Sequence, residues 1–348
     1  MRRVAIVISR PREIRIHRRS ALGLLVGSWA SAVWAQGKTP APTVKHLAIG
    51  NYGMKSLSTE EAIRAVAGIG FDGFELCATP EWDSSPAKLG AARRKTVGSL
   101  LKETGLRLVA VMENVPPSAD DKLHEAGRER LQGALLLARD LVPDQKPMVQ
   151  TVLGGGKWDE VKAMLRDRIG DWAKLAEELD ATVCIKPHRF GAMSTPGQAA
   201  WLIQQLGEVA GATGEGFDSP VPNGAENTGG PKRPPVAPTV TPRLRMVYDY
   251  SHYAFRDLTV EATIQQARGL VAYVAMKDAI QTGDKVSFAL PGETKTVDHA
   301  AIVKALRAAG YQGDFCCEVS AQLSAQAGYD PVQAAKTCYR NMAPVLGS

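Results

Sequence analysis

Eight short apolar segments alternate with eight amphipathic segments between residues 46 and 343. Short apolar runs bounded by Gly and polar residues are typical of buried strands, and a hydrophobic repeat of three to four residues is typical of helices. Strict alternation predicts a parallel sheet, and eight units predict a closed (β/α)8 barrel (TIM barrel) rather than an open sheet. The predicted strands are 46–50, 73–77, 107–112, 148–153, 182–187, 245–250, 271–276 and 314–319; the predicted helices are 59–67, 88–103, 121–140, 158–179, 196–206, 260–266, 298–308 and 331–343.

The length and composition fit one such barrel. The 348 residues, of which 45% are hydrophobic, can supply the core of a barrel of about 250 residues with additions. We assign residues 46–346 to the barrel and 36–45 to a linker. Residues 209–241 are rich in Gly, Pro, Asn and Thr and are too long for an ordinary helix–strand connection. They are predicted to be a surface insertion with little regular structure, or alternatively a contact in a homo-oligomer.

The N-terminal 35 residues have the pattern of an export signal. Arg18 and Arg19 precede an apolar stretch at 21–33 that is too short to span a bilayer comfortably. Small residues at Val33 and Ala35 flank Trp34, as a signal peptidase requires. The segment resembles a twin-arginine signal. It predicts cleavage after Ala35 and a periplasmic or otherwise exported product with no stable membrane insertion; the alternative is an uncleaved membrane anchor.

The formal charge of +6 comes from this N-terminal segment. Residues 1–20 contain seven arginines and one acid, and the remainder has 35 basic and 35 acidic residues. A neutral body gives no electrostatic reason to expect nucleic-acid binding.

Ionisable side chains follow several of the predicted strands. Asp249 and His252 follow the sixth strand, Lys277 and Asp278 the seventh, and Glu318 lies within the eighth near its end. In a parallel barrel all the strands end at one mouth, so we expect these side chains to meet there. Glu75 and Glu113, near the ends of the second and third strands, point to the same mouth and are predicted to contact substrate.

Four motifs resemble the xylose isomerase-like sugar isomerase/epimerase superfamily over residues 46–346. They are GFDGFEL at 70–76, the Asp-x-x-His at 249–252, LPGE at 290–293 and GYQGDFCCE at 310–318. The resemblance implies a small-molecule sugar substrate and proton transfer between neighbouring carbons. It also implies one divalent metal, held by Glu after strand five, Asp after strand six, His after strand seven and Glu after strand eight.

The match to this ligand set is incomplete. Asp249 and Glu318 occupy the strand-six and strand-eight positions, and His252 corresponds to a histidine near the substrate. Lys186 stands at the strand-five position and Ala275 at the strand-seven position. A lysine ammonium repels a divalent cation, so the resemblance leaves the metal in doubt.

Three alternatives follow for the site. A divalent metal (Mn, Zn, Co or Mg) is held by Asp249, Glu318 and His188, with His252 as a further ligand. In the second alternative, the Lys186 ammonium takes the place of the metal between Asp249 and Glu318. In the third, Lys186 or Lys277 is a base or Schiff-base nucleophile.

The leading functional prediction is an exported sugar isomerase/epimerase-like enzyme. Glu318 would be the general base, with Lys186 and Asp249 as the other catalytic residues. The predicted substrate-binding residues are His188, His252, Lys277, Glu75 and Glu113. The alternative is a non-catalytic carbohydrate-binding barrel that has lost its metal; in that case a buried Lys186–Glu318 pair, or a Lys277–Asp278 salt bridge, would be structural. An endonuclease-like DNA repair enzyme shares the barrel but is disfavoured by the neutral charge and the export signal.

Overall fold

A computed structural model describes residues 46–207 and 243–347 and confirms the predicted barrel. Eight parallel strands close in the order β1-β10-β7-β6-β5-β4-β3-β2. The barrel strands are β1 Leu47–Gly50, β2 Gly73–Cys77, β3 Arg107–Met112, β4 Met148–Val152, β5 Thr182–Lys186, β6 Leu244–Tyr248, β7 Val271–Met276 and β10 Phe315–Cys317. The helices are α1 Thr59–Ile69, α2 Ala91–Thr104, α3 Asp121–Leu141, α4 Trp158–Glu178, α5 Pro196–Gln205, α6 Val260–Ala267, α7 His299–Ala308, α8 Ala321–Ser324 and α9 Pro331–Leu346.

Local sequence explains where the helices begin. Ser58 and Glu61 form a reciprocal capping box at the start of α1, which satisfies two backbone N–H groups that have no partner within the helix. Thr195 and Gln198 form the same arrangement before α5, where Pro196 supplies a favourable first helical residue. These caps place the helix starts at the mouth side of the barrel, next to the strand ends that carry the ionisable residues.

Two apolar clusters stabilise the barrel. The larger packs the outward faces of the strands against the helices. The smaller consists mainly of strand residues, including Cys184, Tyr273, Ala275 and Cys316, and fills the barrel interior. The interior is therefore a packed core, and chemistry is confined to the layer above it at the strand ends.

Two strands end two residues before their predicted C-terminal bounds, and this difference shapes the mouth. The strand predicted to run to residue 250 ends at Tyr248, because the Asp249 side chain accepts a hydrogen bond from the Ser251 amide and starts a short 3-10 helix, Tyr250–His252. The strand predicted at 314–319 is reduced to Phe315–Cys317. Asp249 and Glu318 thus lie just beyond their strands.

An antiparallel hairpin that was not predicted from the sequence follows β7. Its strands are β8 Asp278–Thr282 and β9 Lys285–Ala289, joined through Gly283 with a φ of 58°. This left-handed conformation favours glycine, and Gly-Asp is a signal for a two-residue hairpin turn. The hairpin projects from the mouth end of β7 and brings Phe288 over the site.

The predicted signal at 1–35, the linker at 36–45 and the insertion at 209–241 lie outside the described residues. Among the described residues, no helix combines the length and apolarity needed to cross a membrane.

Candidate functional site

Four charged side chains of alternating sign meet at the ends of β5, β6, β7 and β10. They are Lys186, Asp249, Lys277 and Glu318, hereafter the four-charge cluster. The Lys186 ammonium lies 2.9 Å from Asp249 Oδ2 and donates a short hydrogen bond to Glu318 Oε2. The Lys277 ammonium donates to the same Asp249 oxygen at 2.5 Å and to Glu318 Oε1 at 2.8 Å. Each lysine therefore bridges both carboxylates.

Burial makes this cluster electrostatically strong. Lys186, Lys277 and Asp249 are at most 3% exposed. Burial disfavours ionisation of Glu318, but Lys186 and Lys277 outweigh it and lower the pKa of Glu318 to about 2. Burial likewise opposes the charge of Lys186, yet Asp249 and Glu318 raise the pKa of the ammonium above its usual value. The pKa of Asp249 is held well below its usual range against burial by the two lysines. These groups are charged at neutral pH.

The register between β7 and β10 shows which residue at the end of β7 lies level with Glu318. Ala275 is paired with Cys316 in the barrel interior, and the Glu318 amide donates to the Met276 carbonyl one step higher. Lys277 is two residues beyond Ala275, just as Glu318 is two beyond Cys316, so Lys277 is level with Glu318. Ala275, which the resemblance assigns to the strand-seven position, lies in the barrel interior, and Lys277 is the residue at the end of β7 that reaches the level of Glu318.

Two histidines lie beside the cluster as neutral imidazoles. His252 Nε2 lies 3.2 Å from the Lys277 ammonium and 3.3 Å from Asp249 Oδ2. Burial and the Lys277 charge lower the pKa of His252 far below its usual value. The His188 ring is 4.0 Å from that of His252, and burial together with the lysine charges lowers the pKa of His188 to about 4.

The donor set does not fit a divalent metal. The space between the two carboxylates is taken by two ammonium groups, each within hydrogen-bond distance of both. In the described chain, no three His, Cys, Asp or Glu side chains converge in a way that could hold a metal ion. The predicted ligand set of His188, Asp249 and Glu318 is therefore not assembled, because lysine nitrogens lie between the two carboxylates.

Glu75 lies inside the barrel on the other side of the mouth. It is 2% exposed, and Gln150 Nε2 donates to its Oε2 at 3.0 Å. Burial, and next the negative charge of Glu318, raise the pKa of Glu75 to about 7. Its other oxygen crowds β1: a Cβ on Gly50 would lie 2.6 Å from Glu75 Oε1. Glu75 is thus a confined carboxyl group that exchanges a proton near neutrality.

Two other predicted residues lie apart from the cluster. Glu113 is paired with Arg130 and lines a separate cavity of about 300 Å³ beside α3. Asp278 forms no salt bridge with Lys277, contrary to that alternative. Its carboxylate accepts from His299 Nε2 at 2.8 Å and from the amides of Gly292 and Thr294. Asp278 therefore fixes the loop after the hairpin.

Two phenylalanine rings that were not predicted from the sequence, Phe288 and Phe190, lie beside the cluster and its histidines. The Phe288 ring of β9 lies 4.9 Å from the Lys277 ammonium and 5.1 Å from the His252 ring. Phe190, 60% exposed, packs against His188 and Phe288. On the far side Tyr52 and Trp82 stack on one another at 5.1 Å. The alternation of polar and apolar residues in 285–289 was the available signal for Phe288.

The closed barrel of eight parallel strands has the xylose isomerase-like TIM barrel fold. Residues 63–211 match the model of the xylose isomerase-like TIM barrel family. Among solved structures, 3-keto-D-glucoside 4-epimerase YcjR from E. coli aligns with a TM-score of 0.59 and 16% identity, over 87% of this chain and 99% of that chain. An L-ribulose 3-epimerase aligns with a TM-score of 0.61 and 18% identity, over 86% and 94%. The IolI protein with a bound zinc atom aligns with a TM-score of 0.65 and 15% identity, over 86% and 98%. Comparison of the sequence with curated proteins finds no match.

Proposed function

We propose that the chain is a sugar isomerase/epimerase-like enzyme in which Lys186 and Lys277 hold the substrate oxygens. The observation that carries this proposal is the pair of buried ammonium groups bridging Asp249 and Glu318 at the barrel mouth. The sugar epimerases among the structural neighbours support a sugar derivative as the substrate class. The aromatic rings at the mouth suit the apolar face of a sugar ring.

The chemistry is proton transfer at a carbon next to a carbonyl group. Glu318 takes the proton from that carbon, the C–H electron pair moves toward the carbonyl oxygen, and the developing negative charge lies against an ammonium group. Protonation of the former carbonyl carbon, with transfer of the neighbouring hydroxyl proton to the former carbonyl oxygen, isomerises the sugar; protonation of the original carbon from its opposite face epimerises it. Asp249 keeps both lysines in place.

Substrate binding makes Glu318 a competent base in this scheme. With both ammonium groups as partners, its lowered pKa makes it a weak one. A substrate oxygen that accepts a hydrogen bond from Lys186 or Lys277 draws that donor away from Glu318. The pKa of Glu318 then rises toward its usual value, so the base is activated only when the substrate is bound.

The second candidate is a carbohydrate-binding barrel without turnover. It is favoured because the charges and hydrogen bonds of the four-charge cluster are satisfied within the protein. Asp249 Oδ2 lies within hydrogen-bond distance of both lysines, and Oδ1 accepts from Ser251 Oγ at 2.6 Å. A network that is satisfied this completely can be purely structural.

Solvent deuterium exchange separates the two functions. A panel of keto- and aldo-sugars and their oxidised derivatives is incubated with the protein in D2O, and exchange at the carbon next to the carbonyl is followed by NMR. We expect exchange with at least one sugar. Sugar binding without exchange by any member supports the binding protein instead.

Variants assign the roles. Glu318→Gln is expected to abolish exchange with the fold retained, and Lys186→Met is expected to reduce exchange, with no recovery when Mn²⁺, Zn²⁺ or Co²⁺ is added. The matched control is Glu261→Gln on the exposed face of α6, which should exchange at the wild-type rate. Wild-type exchange by Glu318→Gln would remove Glu318 from the mechanism; recovery of Lys186→Met with metal would favour metal-dependent chemistry.

We also propose that the protein is exported with cleavage after Ala35, on the basis of the Arg18-Arg19 pair and the apolar segment that follows. N-terminal sequencing of protein from the periplasmic fraction should begin at Gln36. Replacement of both arginines by lysine should keep the precursor in the cytoplasm. A precursor that is exported equally well after this change would refute the twin-arginine route.

A further inference from the structure

A second cavity lies at the opposite end of the barrel from the four-charge cluster. Its volume is about 310 Å³, and its wall is formed by the first residues of β6 and β7, the turn after α6 and the loop between α7 and β10. These segments precede their strands, so they lie at the closed end. The lining residues include Arg245, Arg268 and Tyr311.

Arg245 is a partly buried cation in this wall without an acidic partner. Its Nε and Nη2 donate to the backbone carbonyls of Leu270 and Val271, at 3.0 and 2.8 Å. Within residues 46–207 and 243–347 no carboxylate forms a salt bridge with it. Burial lowers the pKa of the guanidinium below its usual value, and no carboxylate is among the groups that oppose this shift. A partly buried charge of this kind is stabilised by an anion.

The surroundings of the cavity are also positive. Arg268 lies exposed in the lining and is in no salt bridge of the described chain. Arg307, in the last turn of α7, stacks over the rings of Tyr311 and Phe315 without an acidic partner among the described residues. The acid that precedes β10, Asp314, is already paired with Arg107. The described residues that line the cavity therefore include no carboxylate that would compete with an anion for the arginines.

We propose that this cavity binds a small anion bearing a phosphate or carboxylate group, held by Arg245 and Arg268. Guanidinium groups offer a planar fork that matches both kinds of anion. The volume of about 310 Å³ is at the lower end of the range of about 300–1,000 Å³ typical of small-molecule sites, which suits a small ligand. The site lies outside the chemistry proposed for the mouth.

Isothermal titration calorimetry of the mature protein tests this proposal, with inorganic phosphate in one arm and malonate in the other. We expect saturable binding of one equivalent of phosphate, malonate or both. The anion that binds with the higher affinity identifies the class of ligand. Arg268→Glu should weaken binding about tenfold or more, the effect of losing a charge-assisted hydrogen bond. The matched control is Arg64→Glu, an exposed arginine of α1 on another side of the barrel, which should bind as the wild type does.

Arg245→Met should abolish binding of the anion. If that variant does not fold, the comparison of Arg268→Glu with Arg64→Glu still tests whether the anion binds in this cavity. Absence of saturable heat in both arms overturns the proposal, and so does equal weakening by the two charge reversals. Binding that is lost in Lys186→Met but kept in Arg268→Glu would place the anion at the mouth. That result would refute the closed-end site and leave the proposed function standing.

Discussion

Glu318 and Glu75 are buried carboxyl groups of one barrel, but they lie in different halves of its mouth. Glu318 belongs to the half formed by β5, β6, β7 and β10, where two ammonium groups lower its pKa to about 2. Glu75 belongs to the half formed by β1 to β4, where its described side-chain hydrogen-bond partner is the neutral amide of Gln150 and its pKa rises to about 7.

The difference shows that burial alone does not decide the state of a carboxyl group. Burial raises the pKa of both residues, and the outcome is set by whether a cation lies within hydrogen-bond distance. One half of the mouth therefore holds fixed charge, while the other holds a group that gains and loses a proton near neutral pH. The two halves are coupled through the charge of Glu318, which adds to the raised pKa of Glu75.

The largest effect is expected from Lys277→Met, which leaves two buried carboxylates with one ammonium. Breaking a buried pair by removing one partner costs about 3–5 kcal/mol, because an uncompensated charge remains in the interior. Urea denaturation of the variant at neutral pH should show this loss in the free energy of unfolding.

The control for this experiment is Lys162→Met on α4, whose exposed pair with Asp159 should contribute less than about 1 kcal/mol. Adding Glu318→Gln to Lys277→Met should recover part of the loss, since the charges are again balanced. A Lys277→Met variant as stable as the control would mean that the cluster is solvated rather than buried.

A pH-dependent effect is expected from Glu75→Gln. Because the folded pKa of Glu75 is raised, its contribution to stability is complete below the unfolded pKa near 4.5 and is lost as pH rises through about 7. This loss corresponds to about 3 kcal/mol across that window. The variant lacks it and keeps an acceptor for Gln150.

Denaturant unfolding at a series of pH values measures the difference between Glu75→Gln and the wild type. That difference should shift in favour of the variant by about 3 kcal/mol between acidic and alkaline pH. A difference that stays constant with pH would show that Glu75 titrates as an exposed carboxyl does.

A smaller effect is expected from Gly50→Ala. The added Cβ would lie 2.6 Å from Glu75 Oε1, and forcing the carboxyl aside should cost about 1–3 kcal/mol of unfolding free energy. Gly68→Ala, in an exposed turn of α1 with nothing within 4 Å, should instead stabilise the protein by about 0.5–1 kcal/mol. Thermal unfolding compares the two, and the cost of Gly50→Ala should disappear in a Glu75→Ala background.

The fold could be predicted because each barrel strand is a local signal. The bounds of β2, β3 and β7 agree with prediction to the residue, since each is an apolar run flanked by turn or polar residues. The hairpin was missed because only Lys277 separates β7 from β8, and the short strands DAIQT and KVSFA contain few apolar residues.

The site was only partly predictable, because its contacts depend on how the strands are aligned with one another. The sequence indicated which side chains reach the mouth, but it does not contain the register between strands. Lys277 was read beside Asp278, its neighbour in the chain, whereas it contacts Asp249 and Glu318, which are 28 and 41 residues away. The pair of Lys186 and Glu318, 132 residues apart, was anticipated only because the family resemblance places both residues at the site; no local pattern indicates it.

The alternation of charge around the mouth also affects how a ligand arrives. Two positive and two negative groups within a few ångströms of one another cancel at a distance, and ions screen what remains beyond about 8–10 Å in physiological salt. Such an entrance exerts no long-range attraction on an anion or a cation. The rate at which a sugar enters should therefore be nearly independent of ionic strength, and discrimination between ligands should appear in how slowly they leave.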